Sequence, residues 1–381
     1  KMSAIVNVGL LVSSHGTYQD LGRSTLAGLR DAITEINEDP AYEFTIASTE
    51  HDPYGELHGY AVGLERLMES GAKHIFGTTT SASRKEIIPD LERANRLLWY
   101  SCPYEGYECS ESVLYLGGCP NQNLLPLMQY AIANFGARAC LVGSNYVWGW
   151  ESNRIARELV ETAAGEVTAE KYYRFGDTDF DALIENIMSH NPGFVLNNLV
   201  GESSYHFLRQ LSAACSKKGI RIPVLSCNFT ESELPRIQGA DSIRLLSCGA
   251  FFECVAPSFV ARQSALHGRQ PFSHYYTVAY IAMHLFATAR QKVGHDDPEA
   301  IANALYQLKY KSLLGEITIA EHNNHLSLPS YIAEAKGGQF ELVHIESGSI
   351  AADPYLVQSN FDVFRNLAAR STQGHFLRVV K

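Results

Sequence analysis

The sequence lacks the features typical of membrane-spanning, nucleic-acid-binding or zinc-binding proteins. It has no run of 18 apolar residues, so it is not expected to enter a membrane. Lys and Arg number 31 against 41 Asp and Glu, and the resulting net charge of −10 argues against direct contact with nucleic acid or anionic lipid. The eight cysteines show neither a Cys-x-x-Cys pair nor zinc-type spacing. We therefore expect mostly buried thiols in a reducing compartment, and no metal site.

A recognisable leader is also missing from the start of the chain. Met2 is followed by the apolar, strand-like residues 5–12, with no basic segment and no small-residue cleavage site. This pattern favours a cytoplasmic protein. A chain whose signal peptide has been removed would look similar, so a periplasmic location is the alternative.

Common catalytic signatures do not occur. The dinucleotide-binding, P-loop, nucleophile-elbow and zinc-protease motifs are absent, which argues against an enzyme and predicts no cofactor. Cys102 would need a nearby base to act as a nucleophile, so we expect a buried thiol that lines a cavity. The 322–325 segment, His-Asn-Asn-His, is read as a polar turn and not a metal site. His51 and Asp52, beside Pro53, are read as turn residues and not as an acid/base pair.

What the sequence does contain is a repeated alternation of short β runs and amphipathic helices. After the strand at residues 6–12, Leu26, Leu29, Ile33 and Ile36 follow helical spacing, and the alternation starts again near residue 121. This predicts an α/β fold of two doubly wound parallel-sheet lobes joined by three hinge crossovers. We expect one lobe to comprise residues 1–120 plus 250–327 and the other 121–249 plus 328–381, with a ligand cleft between the lobes.

The loops after the predicted strands have a shared composition that suits a small ligand. Parallel sheets bind ligands beyond the carboxyl ends of their strands, and four of these ends combine aromatic rings with hydroxyls or amides. We expect Ser83 to cap the following helix, which leaves Ser81 for the ligand. The candidate ligand-binding residues are Thr79, Thr80, Ser81, Tyr100, Cys102, Pro103, Tyr146, Trp148, Asn198, Leu199 and Phe229.

Charged residues are scarce at these strand ends. Arg84, Glu105 and Glu202 are the main ionisable candidates, and all three are expected to face solvent or to cap helices. A charged ligand would need a buried partner of opposite charge, because burying an unpaired charge costs several kcal/mol. The sequence therefore predicts a neutral polar ligand, such as an amide or urea, whose donors and acceptors Ser81 and Tyr146 can satisfy.

Over nearly its whole length the chain resembles the type I periplasmic-binding-protein family. Within that family it is similar to the branch of AmiC-type amide sensors and of urea and short-chain-amide binding proteins. The stretches that carry the resemblance are residues 83–85, 103–106, 120–123, 143–146, 151–153, 323–325, 332–334 and 353–355. The resemblance implies two hinged lobes that close on a ligand without catalysing a reaction.

The resemblance also implies roles for single residues. Ser81 matches the hydroxyl of the amide pocket, Tyr146 the tyrosine that meets the amide, and Tyr100 the aromatic at the fourth strand end. Four positions depart from the amide sensor: Thr79 and Trp148 stand in place of tyrosines, Cys102 in place of a threonine, and Asn198 in place of a smaller hydroxyl residue. The expected ligand is therefore an amide-, urea- or guanidine-like molecule that need not be acetamide.

Two functions fit this resemblance. In the first, a ligand-responsive negative regulator of an amidase-type operon restrains an RNA-binding antiterminator partner and releases it on a change in ligand binding. In the second, the chain is the substrate-binding component of an ABC transporter and delivers its ligand to a permease. The absent leader and the cysteines favour the first function, and a homo-oligomer is compatible with either.

Overall fold

The structure, a computed structural model, describes residues 3–367 and divides into two units. The first unit comprises the residues up to Gly118 together with Ala250–Pro329 and Ser347–Ala352. The second comprises Cys119–Gly249, Ser330–Glu346 and the residues from Asp353 onward. The return of the short 347–352 segment to the first unit was not indicated by the sequence.

Helices and strands alternate along most of the described chain. The elements up to Gly118 are β1 (Ala4–Leu11), α1 (Gln19–Glu38), β2 (Phe44–His51), α2 (Leu57–Glu69), β3 (His74–Gly77), α3 (Ser81–Ala94), β4 (Leu97–Tyr100) and β5 (Val113–Tyr115). The elements from Cys119 to Gly249 are α4 (Leu124–Phe135), β6 (Arg138–Ser144), α5 (Val147–Thr162), β7 (Glu166–Tyr173), α6 (Asp181–His190), β8 (Phe194–Asn198), α7 (Glu202–Lys218), β9 (Ile222–Ser226) and β10 (Ile243–Gly249). The remaining elements are α8 (Pro257–His267), α9 (His274–Val293), α10 (Pro298–Tyr306), β11 (Tyr310–Ser312), β12 (Gly315–Ile317), β13 (Tyr331–Lys336) and β14 (Gln339–Ile345).

The first unit contains a parallel sheet with strand order β2-β1-β3-β4-β5. Helices α1 and α9 form part of its core, and the apolar positions of α1 that follow helical spacing are buried. The two helices approach closely at Gly28, where a Cβ atom would lie 2.1 Å from the carbonyl oxygen of Tyr276. Helix α9 buries most of its length, as expected for a helix inside the core of a large unit.

The second unit contains a seven-stranded sheet with order β14-β13-β10-β9-β8-β6-β7. The strands from β7 to β10 are parallel, whereas β13 and β14 add to the β10 edge in antiparallel orientation. The predicted strand at residues 340–343 lies inside β14. The β-rich tail therefore completes this sheet. Its strands are antiparallel, whereas the sequence predicted a purely parallel sheet.

In both sheets the chain starts from an inner strand and then builds outward on both sides of it. The resulting switch point lies between β1 and β3 in the first unit, and between β6 and β8 in the second. Open α/β sheets bind ligands beyond the carboxyl ends of the two strands at such a point. The fold therefore directs attention to the residues that follow these four strands.

Candidate functional site

The switch point of the first unit is lined by small hydroxyl residues. Leu11 at the end of β1 pairs with Gly77 at the end of β3. A side chain at Gly77 is excluded, because its Cβ atom would lie 2.1 Å from the Leu11 carbonyl oxygen. Beyond the two strand ends come Ser13 and the buried residues 78–81, all of which carry hydroxyls.

Helix α3 starts from this hydroxyl-rich turn. The side-chain oxygen of Thr80 accepts a hydrogen bond from the backbone N–H of Ser83 at 3.2 Å, so Thr80 is the N-cap. The expectation that Ser83 caps the helix is wrong, because the helix begins at Ser81. Thr79 is buried and donates its hydroxyl to the Thr78 carbonyl at 2.5 Å.

A buried ion-pair network lies against Ser81. Arg84, one turn further along α3, is fully buried and donates to Glu105 at 3.2 Å and to Glu108 at 2.8 and 3.0 Å. Glu105 is 1% exposed, and its other oxygen accepts the Ser81 hydroxyl at 2.5 Å. The expectation that Arg84 and Glu105 face solvent or cap helices is therefore wrong: each satisfies the other in the interior. Glu202, in contrast, is exposed in the first turn of α7.

The network holds Arg84 and Glu108 in their charged forms. Burial opposes the charge on Arg84, but the carboxylates of Glu105 and Glu108 outweigh it, so the Arg84 pKa stays well above its ordinary value. Burial would raise the pKa of Glu108, but Arg84 and hydrogen bonds from Lys85 and Tyr115 lower it to about 2. The buried Arg84 guanidinium is thus already shared between two carboxylates.

Tyr100, the aromatic residue expected at the fourth strand end, is the last residue of β4. The Tyr100 hydroxyl donates to the Thr79 carbonyl at 2.7 Å, and the Arg84 guanidinium lies over the Tyr100 ring at 4.8 Å. Pro103 is half-buried, while Cys102 is buried, and burial raises the pKa of its thiol to about 12. A thiol that stays protonated at neutral pH is a poor nucleophile, which agrees with the expectation of a buried thiol at Cys102.

Three buried hydroxyls at the same switch point were missed by the sequence analysis. Tyr60 of α2 shares hydrogen bonds with Ser13 at 2.6 Å and with Tyr18 at 3.1 Å. Ser13 follows β1, Tyr18 precedes α1 and Tyr60 lies on α2. These hydrogen bonds therefore connect the end of β1 to both helices. Tyr60 falls on the apolar stripe of α2, and this helical spacing was the one signal that it would point inward.

In the second unit, the switch point lies between β6 and β8, where Gly143 pairs with Asn198. Ser144 at the end of β6 accepts a hydrogen bond from the backbone N–H of Val200 at 3.0 Å, which ties the two strand ends together. Tyr146 is half-buried just before α5, with its ring 5.0 Å from that of Phe175. Trp148, in the first turn of α5, is 5% exposed.

Asn198 is held by a second buried amide. Its Nδ2 donates to Oδ1 of Asn153 on α5 at 2.7 Å, and both residues are buried. The Oδ1 atom of Asn198 has no hydrogen-bond partner among the described residues. Asn198 was expected to offer a donor and an acceptor, and the structure uses its donor inside the unit.

The end of β9 adds a buried carboxylate that the sequence analysis missed. Phe229 is buried with its backbone N–H bonded to Ser226, and its ring meets that of Tyr205 edge to face. The Tyr205 hydroxyl donates to Glu233 at 2.5 Å, and Glu233 is 2% exposed. Leu199, the remaining candidate, is buried at the end of β8. Buried carboxyl groups are therefore more common at these ends than the sequence suggested.

The 322–325 segment forms a turn in the first unit, with Asn324 in the left-handed region at φ 61°. His325 is buried; Tyr104 bonds its Nε2, and the Tyr115 ring stacks on it. Burial lowers the His325 pKa to about 4, so the ring is neutral at pH 7. Residues 3–367 contain no cluster of three or more acidic, His or Cys side chains able to hold a metal.

His51 is the last residue of β2, so its interpretation as a turn residue is wrong, whereas Asp52 follows the strand. Asp52 accepts hydrogen bonds from Ser14 at 2.7 Å and bonds His15 at 2.6 Å, with no bond to His51 among the described contacts. Its neighbour Tyr54 takes a positive φ of 57°, as expected in a turn.

The cysteines are free thiols in this structure. Six are buried, whereas Cys109 and Cys254 are exposed. In the described part of the chain, no helix is both long and apolar enough to cross a bilayer.

Comparison with known proteins then identifies the family. A family model described as a periplasmic binding protein domain matches residues 6–360. The chain belongs to this family. The match is to the periplasmic binding protein domain as a whole, and the amide-sensor and urea branch stays a prediction.

Solved periplasmic binding proteins share the fold. A solute-binding protein of an ABC transporter from Rhodopseudomonas palustris, in complex with p-hydroxybenzoic acid, has a TM-score of 0.81, 18% identity, and coverage of 93% of this chain and 100% of its own. Another from R. palustris, in complex with benzoate, gives 0.80 at 18% identity over 92% and 99% of the two chains. The leucine-binding protein LivK from Thermotoga maritima gives 0.78 at 18% identity over 89% and 98%.

Proposed function

We propose that the chain is the solute-binding component of an ABC transporter and that its ligand is a small neutral molecule of the amide or urea class. The family is one of binding proteins, and the similar solved structures are described as transporter binding proteins, which supports the transport role over the regulatory role favoured by the sequence alone. Such a protein would act in the periplasm and hand its ligand to a permease.

One observation carries the choice of ligand class. The Arg84 guanidinium, a fully buried cation at the first unit's strand ends, is bound by two carboxylates, Glu105 and Glu108. A carboxylate ligand such as benzoate would have to enter a site in which this positive charge is already neutralised. Because an unpaired buried anion costs several kcal/mol, the arrangement disfavours an anionic ligand and suits a neutral polar one.

Polar groups at the strand ends of each unit support the same class. Residues 78–81 and Tyr100 bring hydroxyls and an aromatic ring to one strand-end cluster, which matches the mixture of polar and apolar groups in small-molecule sites. In the second unit, the Asn198 carbonyl oxygen is a buried acceptor without a partner among the described residues. A ligand with N–H groups is chemically suited to such acceptors.

A second role is favoured by the thiols. Six of eight cysteines are buried and all eight are free, a state that persists in a reducing compartment. This observation favours the cytoplasmic regulator, in which ligand binding would control the release of an RNA-binding antiterminator.

Three measurements test these proposals. Thermal shift assays should show stabilisation by acetamide, urea or formamide and weaker stabilisation by acetate, benzoate and leucine at equal concentration. Stabilisation only by the three carboxylate-bearing compounds would contradict the ligand class. Ligand-dependent ATP hydrolysis by a reconstituted permease supports transport, whereas ligand-sensitive copurification with an RNA-binding protein supports regulation.

A further inference from the structure

We infer that Glu105 determines which chemical group the site accepts, because it fixes the Ser81 hydroxyl so that Ser81 can receive a hydrogen bond from the ligand but cannot donate one. This inference rests on the proposed function, and it adds Glu105 as a positioning residue that sets specificity.

The hydrogen bonds at Ser81 carry the argument. A serine hydroxyl has one hydrogen to donate and two lone pairs to accept. Ser81 donates its hydrogen to Glu105 at 2.5 Å and accepts a hydrogen bond from Nη1 of Arg84 at 3.2 Å. One lone pair is left, so any further partner of Ser81 has to be a donor.

Neither Glu105 nor Arg84 can reverse this arrangement. An ionised carboxylate only accepts hydrogen bonds and a guanidinium only donates them. Glu105 is further fixed by Nη2 of Arg84 at 3.2 Å, and Arg84 by its two bonds to Glu108. All the side chains that determine the direction of the Ser81 hydroxyl are therefore themselves held in place.

The consequence is a choice between ligands of nearly the same shape. Acetamide and urea have N–H groups that can donate to the free lone pair of Ser81. Acetate has only acceptor oxygens, which would face the Ser81 lone pair with the Glu105 charge behind it. Two acceptors that face each other in a buried site cannot form a hydrogen bond. Each has also lost the hydrogen bonds that it made to water, so acetate binding is disfavoured.

A single substitution should reverse the polarity of Ser81. In Glu105→Gln, Arg84 can bond only the amide oxygen, which leaves the amide nitrogen toward Ser81. Ser81 would then accept from both neighbours and present its hydrogen to the ligand. The substitution replaces one oxygen by nitrogen and leaves Arg84 paired with Glu108, so packing is little changed.

The test is calorimetric titration of the full chain with acetamide, urea and acetate. The wild type should prefer acetamide over acetate, and Glu105→Gln should lower that ratio by about 10-fold or more, the range expected for one hydrogen bond to a buried group. Glu92→Gln is the matched control, because Glu92 accepts a serine hydroxyl, that of Ser110, at 2.9 Å away from these strand ends. It should keep the wild-type ratio.

The outcomes separate this inference from the proposed function. If the wild type binds neither acetamide nor urea, the proposed ligand class is wrong. If it binds them and Glu105→Gln keeps the acetamide-to-acetate ratio, the inference is wrong while the ligand class stands. Should Glu105→Gln fail to fold, Ser81→Ala decides: it should weaken acetamide binding about 10-fold without weakening acetate binding, and an equal loss for both would overturn the inference.

Discussion

Replacing Arg84 by methionine should show how much the buried ion-pair network contributes to the free energy of unfolding. Methionine keeps an unbranched apolar side chain in the buried space but removes every bond that the guanidinium makes to Ser81, Glu105 and Glu108. Two buried carboxylates are then left next to each other without their shared cation.

The magnitude follows from the burial of these groups. Removing one partner of a buried ion pair costs about 3 to 5 kcal/mol, because the remaining charge is uncompensated. The cost should depend on pH. In the wild type, Arg84 and its hydrogen bonds hold the Glu108 pKa at about 2, so Glu108 contributes stability above about pH 4.5 that is lost between pH 4.5 and 2. In the variant, Glu108 keeps its bonds to Lys85 and Tyr115 but loses Arg84, so its pKa rises from about 2 and acid should reduce the deficit.

Thermal unfolding at pH 7 and pH 4, monitored by circular dichroism, measures both effects. We expect Arg84→Met to lower the free energy of unfolding by about 3 to 5 kcal/mol at pH 7 and by at least about 1 kcal/mol less at pH 4. Arg93→Met is the control, because Arg93 is 76% exposed in its pair with Asp90 and should change stability by about 0.5 kcal/mol or less. A loss below about 1 kcal/mol at pH 7, or the same loss at both pH values, would refute the reasoning.

Three further predictions concern other parts of the chain. Tyr146→Phe should weaken ligand binding by about 1 to 3 kcal/mol in calorimetry if its hydroxyl meets a buried amide, and unchanged affinity would remove Tyr146 from the site. Burial lowers the pKa of His74, His274 and His325 to about 4, so the free energy of unfolding should fall as pH falls from 6.5 to 4. His325→Phe should reduce the slope of the free energy of unfolding against pH by about one proton. An unchanged slope would contradict the low pKa of His325. Iodoacetamide should label exposed Cys109 and Cys254 in the native protein and spare Cys102, as read by peptide mass spectrometry; early labelling of Cys102 would show that it is not buried.

The alternating fold could be predicted because its signals are local. Helical spacing from Leu26 to Ile36 and the short apolar run at β4 depend only on neighbouring residues, and both elements are present. Strands β5 and β13 were missed, because a three-residue strand and an added antiparallel edge depend on partners far along the chain. Helix α8 buries only Gln263 fully, so it has no clear apolar stripe to predict.

The candidate site was predictable in position more than in chemistry. The rule that ligands lie beyond strand ends selected the loops after β3, β4, β6, β8 and β9. The structure places β3, β6 and β8 at the two switch points, with β4 next to β3 and β9 next to β8. The rule says nothing about pairing between loops. Arg84 is on α3 and Glu105 follows β4, so their ion pair, and with it the direction of the Ser81 hydroxyl, becomes visible only once the elements are assembled.

Calorimetric titration of the wild-type chain with acetamide, urea and leucine tests the central claim most directly. The account predicts measurable binding of acetamide or urea with 1:1 stoichiometry, and no comparable binding of leucine. Tight binding of leucine together with no binding of either amide compound would contradict it.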